Sequence, residues 1–383
     1  MEASRKWDDP LGIPHLPECP DVSIDNLSLA SVRDVMTSLA PEVRIERAIL
    51  RLVEEWLVNS TSVEPIQSIR SLMDSIRSLP RGDERLKCMN SLVRTLGQPQ
   101  VLATFLDMIR DSAGRTGTRE QELSRISQKT TQHCIYGWTG QTLLVTSSAE
   151  PTKGTLEPET GVAELLGEVP PEVWGLSMHI WQPNPRAKGF ASGASIERGI
   201  IVEPPHSHPF DFASMLAIGG MHQSIYAQRR SNSDLVEPIH RGHRYAGTTL
   251  QHVYGVWPPH DHRLSSEVMT LEERVSLRAG DSYYMTCDRI HDVEIDANIA
   301  LDRPAITLFL ASECVVKPHV YMAPSMADFH DAHPKLKHRG YALPSEDWHA
   351  KLELASAYLR GKALTLNLHN VVKWEGEYAF FHA

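Results

Sequence analysis

The hydrophobic pattern changes near residue 135, and this change constrains the fold more than any other feature. Between residues 30 and 130, apolar residues recur at helical spacing, as in the segment 41–57, where Ile45 and Trp56 share one face. Beyond residue 135, short runs rich in Val, Ile, Tyr and Trp are separated by Gly and Pro, which is typical of strands. We therefore expect an α+β chain in which a helical region precedes a β-sandwich or β-barrel.

This pattern divides the 383 residues into four predicted parts. Residues 1–29 carry four prolines and little periodicity, so we expect an extended arm. Residues 30–130 form the helical region, and residues 131–325 form the β-barrel domain. Residues 326–383 form a C-terminal helical extension, because Ser345 and the acidic residues after it are typical of a helix start.

Charge and hydropathy argue against two classes of partner. The net charge is −10 and no run of Lys or Arg stands out, which argues against nucleic acid. No apolar stretch approaches the roughly 20 residues of a membrane helix, and the N-terminus lacks the apolar core of a signal peptide. We expect a soluble, cytoplasmic protein that does not bind membranes. A homodimer formed through the helical region is a further expectation.

Histidine is the metal ligand that the composition favours. The five cysteines include no CxxC pair, whereas nine of the nineteen histidines lie between residues 206 and 291. His206 and His208 are two residues apart, so on a strand they point to the same face. His291 begins a second alternation, which places its imidazole on an otherwise apolar face. We predict that His206, His208 and His291 bind one metal ion.

A second histidine pair competes with the first. His260 and His262 also form an HxH sequence, with Glu267 five residues later. The residues after this pair are charged and lack the buried-strand pattern that follows His208. We therefore expect the pair to belong to a long insertion over the barrel mouth, either a solvated loop or a lid. The insertion holds His240, His243, His252, His260 and His262.

The stretches around His206 and His291 resemble the two motifs of the cupin superfamily, with the spacing of thiol dioxygenases such as cysteine dioxygenase. Gly220 follows His208 at the motif's interval, although Gly199 is one residue too far from His206. Gly280 and His291 keep the interval of the second motif. The resemblance covers about residues 175–315. It implies a cupin-type double-stranded β-barrel (jelly-roll), preceded by a helical region and followed by a C-terminal helix.

Departures from the cupin pattern narrow what the resemblance implies. The glutamate that many cupins use as a fourth ligand aligns with Phe212 or Ala213, neither of which binds metal. The resemblance therefore implies a neutral three-histidine site, as in the thiol dioxygenases. Their Ser-His-Tyr set aligns with Thr307, Phe309 and Ala311, so the residues that handle a thiol are missing. Cysteine is accordingly not assigned as the substrate.

The resemblance favours Fe(II), with Zn, Ni and Cu as alternatives because imidazole suits all four metals. It implies a dioxygenase-like non-haem oxygenase whose partners are dioxygen and a small organic molecule, such as an amino acid or an aromatic metabolite. Two other functions stay open. One is a zinc or nickel isomerase, hydrolase or lyase, for which Glu203 and Asp211 are the nearest candidate general bases. The other is a non-catalytic small-molecule-binding cupin.

Polar and aromatic side chains near the motifs are candidates for the substrate site. An apolar pocket wall is indicated by Phe210, Phe212, Met215 and Phe309. The predicted catalytic or substrate-contacting residues are Tyr283, Tyr284, His222, His252 and Arg289.

Overall fold

The computed structural model describes residues 40–58, 64–114, 140–146, 174–181, 200–229, 243–249, 267–295, 303–313, 315, 319–322 and 345–366. The predicted N-terminal arm, the histidine pair at 260 and 262, and His252 lie outside these residues. The division into four parts also stays a prediction, because its boundaries at 29, 130 and 325 fall outside them.

Four helices precede the first strand: α1 (Pro41–Val58), α2 (Pro65–Arg77), α3 (Asp83–Leu96) and α4 (Pro99–Ala113). Three of them begin at proline, which suits the first helical position because its missing N–H has no partner there in any case. A fifth described helix, α5, spans Ser345–Leu359. Among the described residues, no helix combines the length and apolar character needed to cross a membrane.

The described strands are β1 (Gly140–Thr146), β2 (Gly175–Trp181), β3 (Ile200–Ser207), β4 (Phe212–Ile218), β5 (Gly220–Arg229), β6 (His243–Thr249), β7 (Glu267–Arg278), β8 (Ser282–Met285), β9 (Ile290–Ile295), β10 (Ala305–Ala311) and β11 (His319–Met322). They form two antiparallel sheets. The first has the order β1-β2-β10-β4-β8, and the second β11-β3-β9-β5-β7-β6. Strand β11 also pairs with β6, so the pairing of the second sheet returns to its starting strand.

One face of the first sheet packs on the helices. Alternate residues of its strands join the core formed by the helices, among them Met178, Met215 and Leu308. The opposite face carries Phe212, Trp181 and other residues that belong to separate apolar clusters. The shared core stabilises the helices through burial of their apolar faces, rather than through helix propensity alone.

The predicted α+β class is confirmed by the mixture of helices and antiparallel sheets. The cupin-type jelly-roll topology stays a prediction. The sequence predicts helices at about 41–57, 63–79, 84–96, 99–112 and 345–360, and each is present within two residues of these ends. A further helix predicted after Thr118 lies outside the described residues. The sequence Gly280-Asp281 predicts a tight turn before a strand, and Gly280 lies in a turn before β8 with φ of +95°, a conformation that favours glycine.

Candidate metal centre

Strands β3 and β9 bring the predicted ligands together. His206 lies directly opposite His291 in their antiparallel pairing. The register is irregular between Glu203 and His206, where Pro204 and Pro205 interrupt the ladder. Prolines are tolerated at such irregular positions because they cannot donate a ladder hydrogen bond. His208 follows the last residue of β3, and its ring lies 4.6 Å from that of His206.

The three imidazoles converge through their Nε2 atoms. The Nε2 atom of His208 lies 3.1 Å from that of His206 and 3.0 Å from that of His291. A neutral imidazole nitrogen offers either one hydrogen or one lone pair, so hydrogen bonds alone account poorly for two contacts at His208. One metal ion accepts all three lone pairs, and nitrogen ligands at about 2.1 Å from an ion lie about 3.0–3.4 Å apart. The three residues therefore form a metal-binding group.

Burial keeps the site in the form that binds metal. Desolvation lowers the pKa values of His208 and His291 well below the usual histidine range, and the neighbouring imidazoles lower them further. Phe210 and Phe212 pack against the His208 ring at centroid distances of 5.2 and 4.7 Å. Phe309 lies 5.9 Å from the same ring. Apolar rings therefore pack around His208, and burial favours the neutral form of His208 and His291, whose lone pairs are then available to a metal.

No carboxylate joins the three histidines within the described part of the chain. Phe212, one of the two positions aligned with the cupin glutamate, directs its ring toward His208 and His291. Ala213, the other, belongs to the core that the first sheet shares with the helices. The described ligand set is thus three imidazoles without a negative charge.

The segment between His208 and β4 is held by several hydrogen bonds. The carbonyl of Pro209 accepts from the N–H of Val315 at 2.7 Å, and that of Asp211 accepts from the N–H of Ser312 at 2.9 Å. The Asp211 carboxylate accepts from the Arg81 guanidinium at 2.8 Å and from the N–H of Cys287 at 3.0 Å. Because Asp211 is held by these donors, it is a poor candidate for the general base considered from the sequence.

Tyr283 lies nearest to the site among the predicted substrate contacts. Its ring centroid is 5.9 Å from that of Phe212, which itself packs on His208 and His291. Its hydroxyl accepts a hydrogen bond from the amide of Gln223. The structure therefore places Tyr283 in the space between the two sheets, beside the aromatic shell.

The other described candidates point away from the histidines. Tyr284 follows Tyr283 on β8, so its side chain faces the opposite side of the sheet. It is exposed, and its hydroxyl donates to the carboxylate of Asp83 in α3 at 3.2 Å. His222 contacts the hydroxyl of Ser276 at 2.9 Å. It is three residues from Ile225, which pairs with His291, and strand residues an odd number apart face opposite sides. Arg289 forms a half-exposed ion pair with Glu272. A catalytic or substrate-binding role for these three residues stays a prediction.

Met215 also differs from its expected place in the pocket wall. It belongs to the core shared with the helices, where its sulfur lies close to Gly97. The reason is the two-residue period of β4, which directs Phe212, Ser214 and Leu216 to the other face. Phe210, Phe212 and Phe309 do form one apolar cluster, as predicted.

His179 of β2 was missed by the sequence reasoning. It stacks on Phe309 with 4.9 Å between ring centroids. The available signal was a histidine in a strand segment, Leu176–Trp181, in which Ser177 is the only other polar residue. The partner strand of β2, β10, is more than a hundred residues away in sequence. The residues around His179 therefore do not show that it lies near the site.

No protein-family model and no curated protein sequence matches this chain. Among solved structures, hydroquinone 1,2-dioxygenase from Sphingomonas sp. TTNP3 is 14% identical, over 37% of this chain and 61% of that chain, with a TM-score of 0.18. The chain therefore spans about three fifths of that enzyme's length.

Two sugar isomerases are similarly distant. L-ribose isomerase from Geodermatophilus obscurus is 12% identical over 58% of this chain and 93% of that chain, with a TM-score of 0.27. L-ribose isomerase from Acinetobacter sp. DL28 is 14% identical over 63% of this chain and 92% of that chain, with a TM-score of 0.22. Similarities this remote establish neither a fold family nor an activity for the chain.

Proposed function

We propose that this protein is a cupin-type, Fe(II)-dependent oxygenase that acts on a small organic molecule bound beside His206, His208 and His291. The observation that carries the proposal is the convergence of three imidazoles beside an aromatic cluster, with no carboxylate among the described ligands. Such a ligand set leaves coordination positions open for substrate and dioxygen. The small-molecule substrate and dioxygen are its proposed partners.

The protein's own residues have three roles in this proposal. His206, His208 and His291 would hold the ion, which would supply the redox chemistry for activating dioxygen beside an organic substrate. Phe210, Phe212 and Phe309 exclude water from that site and present an apolar wall to the substrate. Tyr283, whose hydroxyl is oriented by Gln223, is the proposed polar contact among the sequence candidates.

The zinc or nickel isomerase, hydrolase or lyase is less well supported. Such chemistry needs a general base within hydrogen-bond reach of the substrate. Asp211 is engaged by Arg81 and by the N–H of Cys287, and the described ligand group contains no carboxylate. Because these donors hold Asp211 and the described ligand group has no carboxylate, oxygen chemistry is better supported than hydrolysis.

The proposal is tested by metal analysis of protein purified without oxygen, followed by oxygen-electrode assays with amino acids, thiols and aromatic compounds. We expect one iron per chain in the wild type and oxygen consumption with at least one compound. His206→Ala and His291→Ala should lose both. His349→Ala is the matched control, because this histidine packs on Trp348 of α5 and should leave the iron content unchanged.

Two outcomes would contradict the proposal. Full zinc or nickel occupancy, with turnover in the absence of oxygen, would establish the isomerase, hydrolase or lyase alternative. Tight binding of a small molecule without any oxygen consumption would instead indicate a non-catalytic binding protein.

A further inference from the structure

Some side chains between the two sheets are more exposed than those that pack on the helices. On β2 and β10, the side chains that face the helices, such as Met178 and Leu308, are 0% exposed. On the opposite face Thr307 is 1% exposed, whereas His179 at 8% and Phe309 at 7% retain accessible surface. These two side chains therefore border the space between the sheets beside the metal-binding group.

His179 lies on the wall of that space. It is paired with Thr307 across β2 and β10, so both side chains point to the same face of the sheet. Its ring stacks on Phe309 with an interplanar angle of 27°. Phe309 in turn stacks on Phe212 at 4.8 Å and lies 5.9 Å from the ring of His208. A continuous row of rings thus runs from the metal-binding group to His179.

A polar layer surrounds His179 between two apolar clusters. Trp181 donates from its indole N–H to the hydroxyl of Thr307 at 2.8 Å, within the same face of the first sheet. On β8 of the same sheet, Tyr283 packs against both apolar clusters and accepts from Gln223 of the second sheet. The buried interior between the sheets therefore contains hydrogen-bonding groups beside its apolar clusters, where a ligand's polar group would be desolvated.

The polar layer carries no charged side chain of the described residues. Burial, with a smaller effect of the Lys351 charge, lowers the pKa of His179 to about 3, so its imidazole is neutral and has one donor and one acceptor nitrogen. The buried charged residues lie on helices, on the opposite face of β9 or in the His208 loop: Arg70, Arg85, Lys351, Asp292, Glu294 and Asp211. An uncharged ligand suits this interior, because a buried charge needs a partner.

We infer that His179 is a substrate-contacting residue, and that the site takes a neutral aromatic compound whose hydroxyl or carbonyl group hydrogen-bonds to the His179 imidazole. The ring of this ligand lies beside the row of rings that joins His179 to the metal-binding histidines through Phe309. The inference deepens the proposed function and rests on it, because it defines the substrate class of the same site.

The test measures the binding of small arenes to iron-loaded protein by calorimetry without oxygen. The neutral probes are phenol, benzyl alcohol and benzamide, the charged probes are benzoate and benzylammonium, and toluene lacks a polar group. We expect the neutral polar probes to bind about tenfold more tightly than toluene, the usual effect of one buried hydrogen bond. The charged probes should bind more weakly than the neutral ones.

Substitutions at His179 separate hydrogen bonding from packing. His179→Phe keeps a ring on Phe309 but removes the polar nitrogens, so the tenfold preference over toluene should vanish while toluene binding stays unchanged. His179→Asn should restore part of the preference. The matched control is Met178→Leu, the neighbouring residue on the helix-facing side of β2, which should behave as wild type.

The outcomes distinguish this inference from the proposed function. If wild-type protein holds iron but its preference among the probes is unaffected by His179→Phe, or if no neutral probe binds, the inference is wrong and the metal site stands. If wild-type protein holds no iron yet shows the His179-dependent preference, the ligand class stands and the oxygenase proposal fails.

Discussion

Arg81, in the turn between α2 and α3, donates two hydrogen bonds to the Asp211 carboxylate, at 2.8 and 3.3 Å. Asp211 is three residues after His208, and its other carboxylate oxygen accepts from the N–H of Cys287. The helical layer and the turn before β9 therefore brace the segment that carries one of the three ligands. This gives the helical region a physical role at the site.

Replacing Asp211 by Asn should weaken this brace without changing its shape. We expect metal affinity to fall about tenfold, as for other residues that orient metal ligands, and the free energy of unfolding to fall by about 1–3 kcal/mol. Chelator competition and urea denaturation measure the two effects. Asp74→Asn, at an exposed position on α2, is the control. Equal metal affinity in the Asp211 variant and the control would show that the brace does not position His208.

Removing the metal should destabilise the fold around β3 and β9. When the free ion is present at a hundred times its dissociation constant, its binding stabilises the folded state by about 2.7 kcal/mol. We therefore expect a chelator to lower the melting temperature by about 5 °C. His291→Ala should melt at the chelated wild-type temperature and show no chelator effect. Calorimetry with and without chelator checks this. A chelator effect of the same size in His291→Ala would place the ion elsewhere.

Gly219, in the turn between β4 and β5, should not tolerate a side chain. Its φ is +92°, and an added Cβ would lie 2.7 Å from the Cα of Ala305. Gly280 has a similar φ of +95° but open space around it. Gly280→Ala therefore carries only the backbone cost of about 1–2 kcal/mol. Gly219→Ala should cost about 1–3 kcal/mol more, from the clash.

Denaturant midpoints of the two glycine variants give this comparison directly. Equal destabilisation by Gly219→Ala and Gly280→Ala would show that β10 shifts freely away from the turn. That result would also weaken the rigid placement of Phe309, which lies on the same strand as Ala305.

Lys351 of α5 should make stability rise with pH above neutrality. Its side chain is fully buried, its Nζ has no hydrogen-bond partner among the described residues, and burial lowers its pKa from 10.5 to about 7. Between these two values the unfolded chain binds more protons than the folded one, so the free energy of unfolding increases with pH. Below pH 7 the folded state carries the cost of a buried charge.

Lys351→Met should therefore raise the free energy of unfolding most at pH 6, by on the order of a few kcal/mol. The gap in this free energy between the variant and the wild type should narrow toward pH 9. Urea denaturation across this range measures the gap. Lys87→Met is the control, because Lys87 is half-exposed and pairs with Asp83 on the surface of α3. A constant gap between Lys351→Met and wild type would show that Lys351 does not change its charge in this range.

Local sequence patterns were sufficient for the helices and for most described strands. The apolar stripes, the prolines at helix starts and the glycine at 280 act over a few residues, and each has its expected structure here. The group of His206, His208 and His291 could also be predicted from the sequence, because two histidines at strand spacing need only one more imidazole on a facing strand. That third imidazole, His291, indeed lies opposite His206.

The faces of individual side chains depended on the tertiary structure. Alternation shows that Tyr283 and Tyr284 point to opposite sides, but only the pairing of β8 with β4 and the packing of α3 decide which side is inside. The same holds for Met215 and Phe212. A one-residue change of register exchanges the two faces, and register is set by contacts between distant segments.

Short-range periodicity and ligand spacing therefore predict the α+β class, the positions of the helices and the three histidines of the metal-binding group. The contacts of His179 with Phe309 and of Arg81 with Asp211 arise only when the chain has folded. These contacts join segments more than a hundred residues apart. Their formation depends on strand register and on burial of the shared core, which no local pattern specifies.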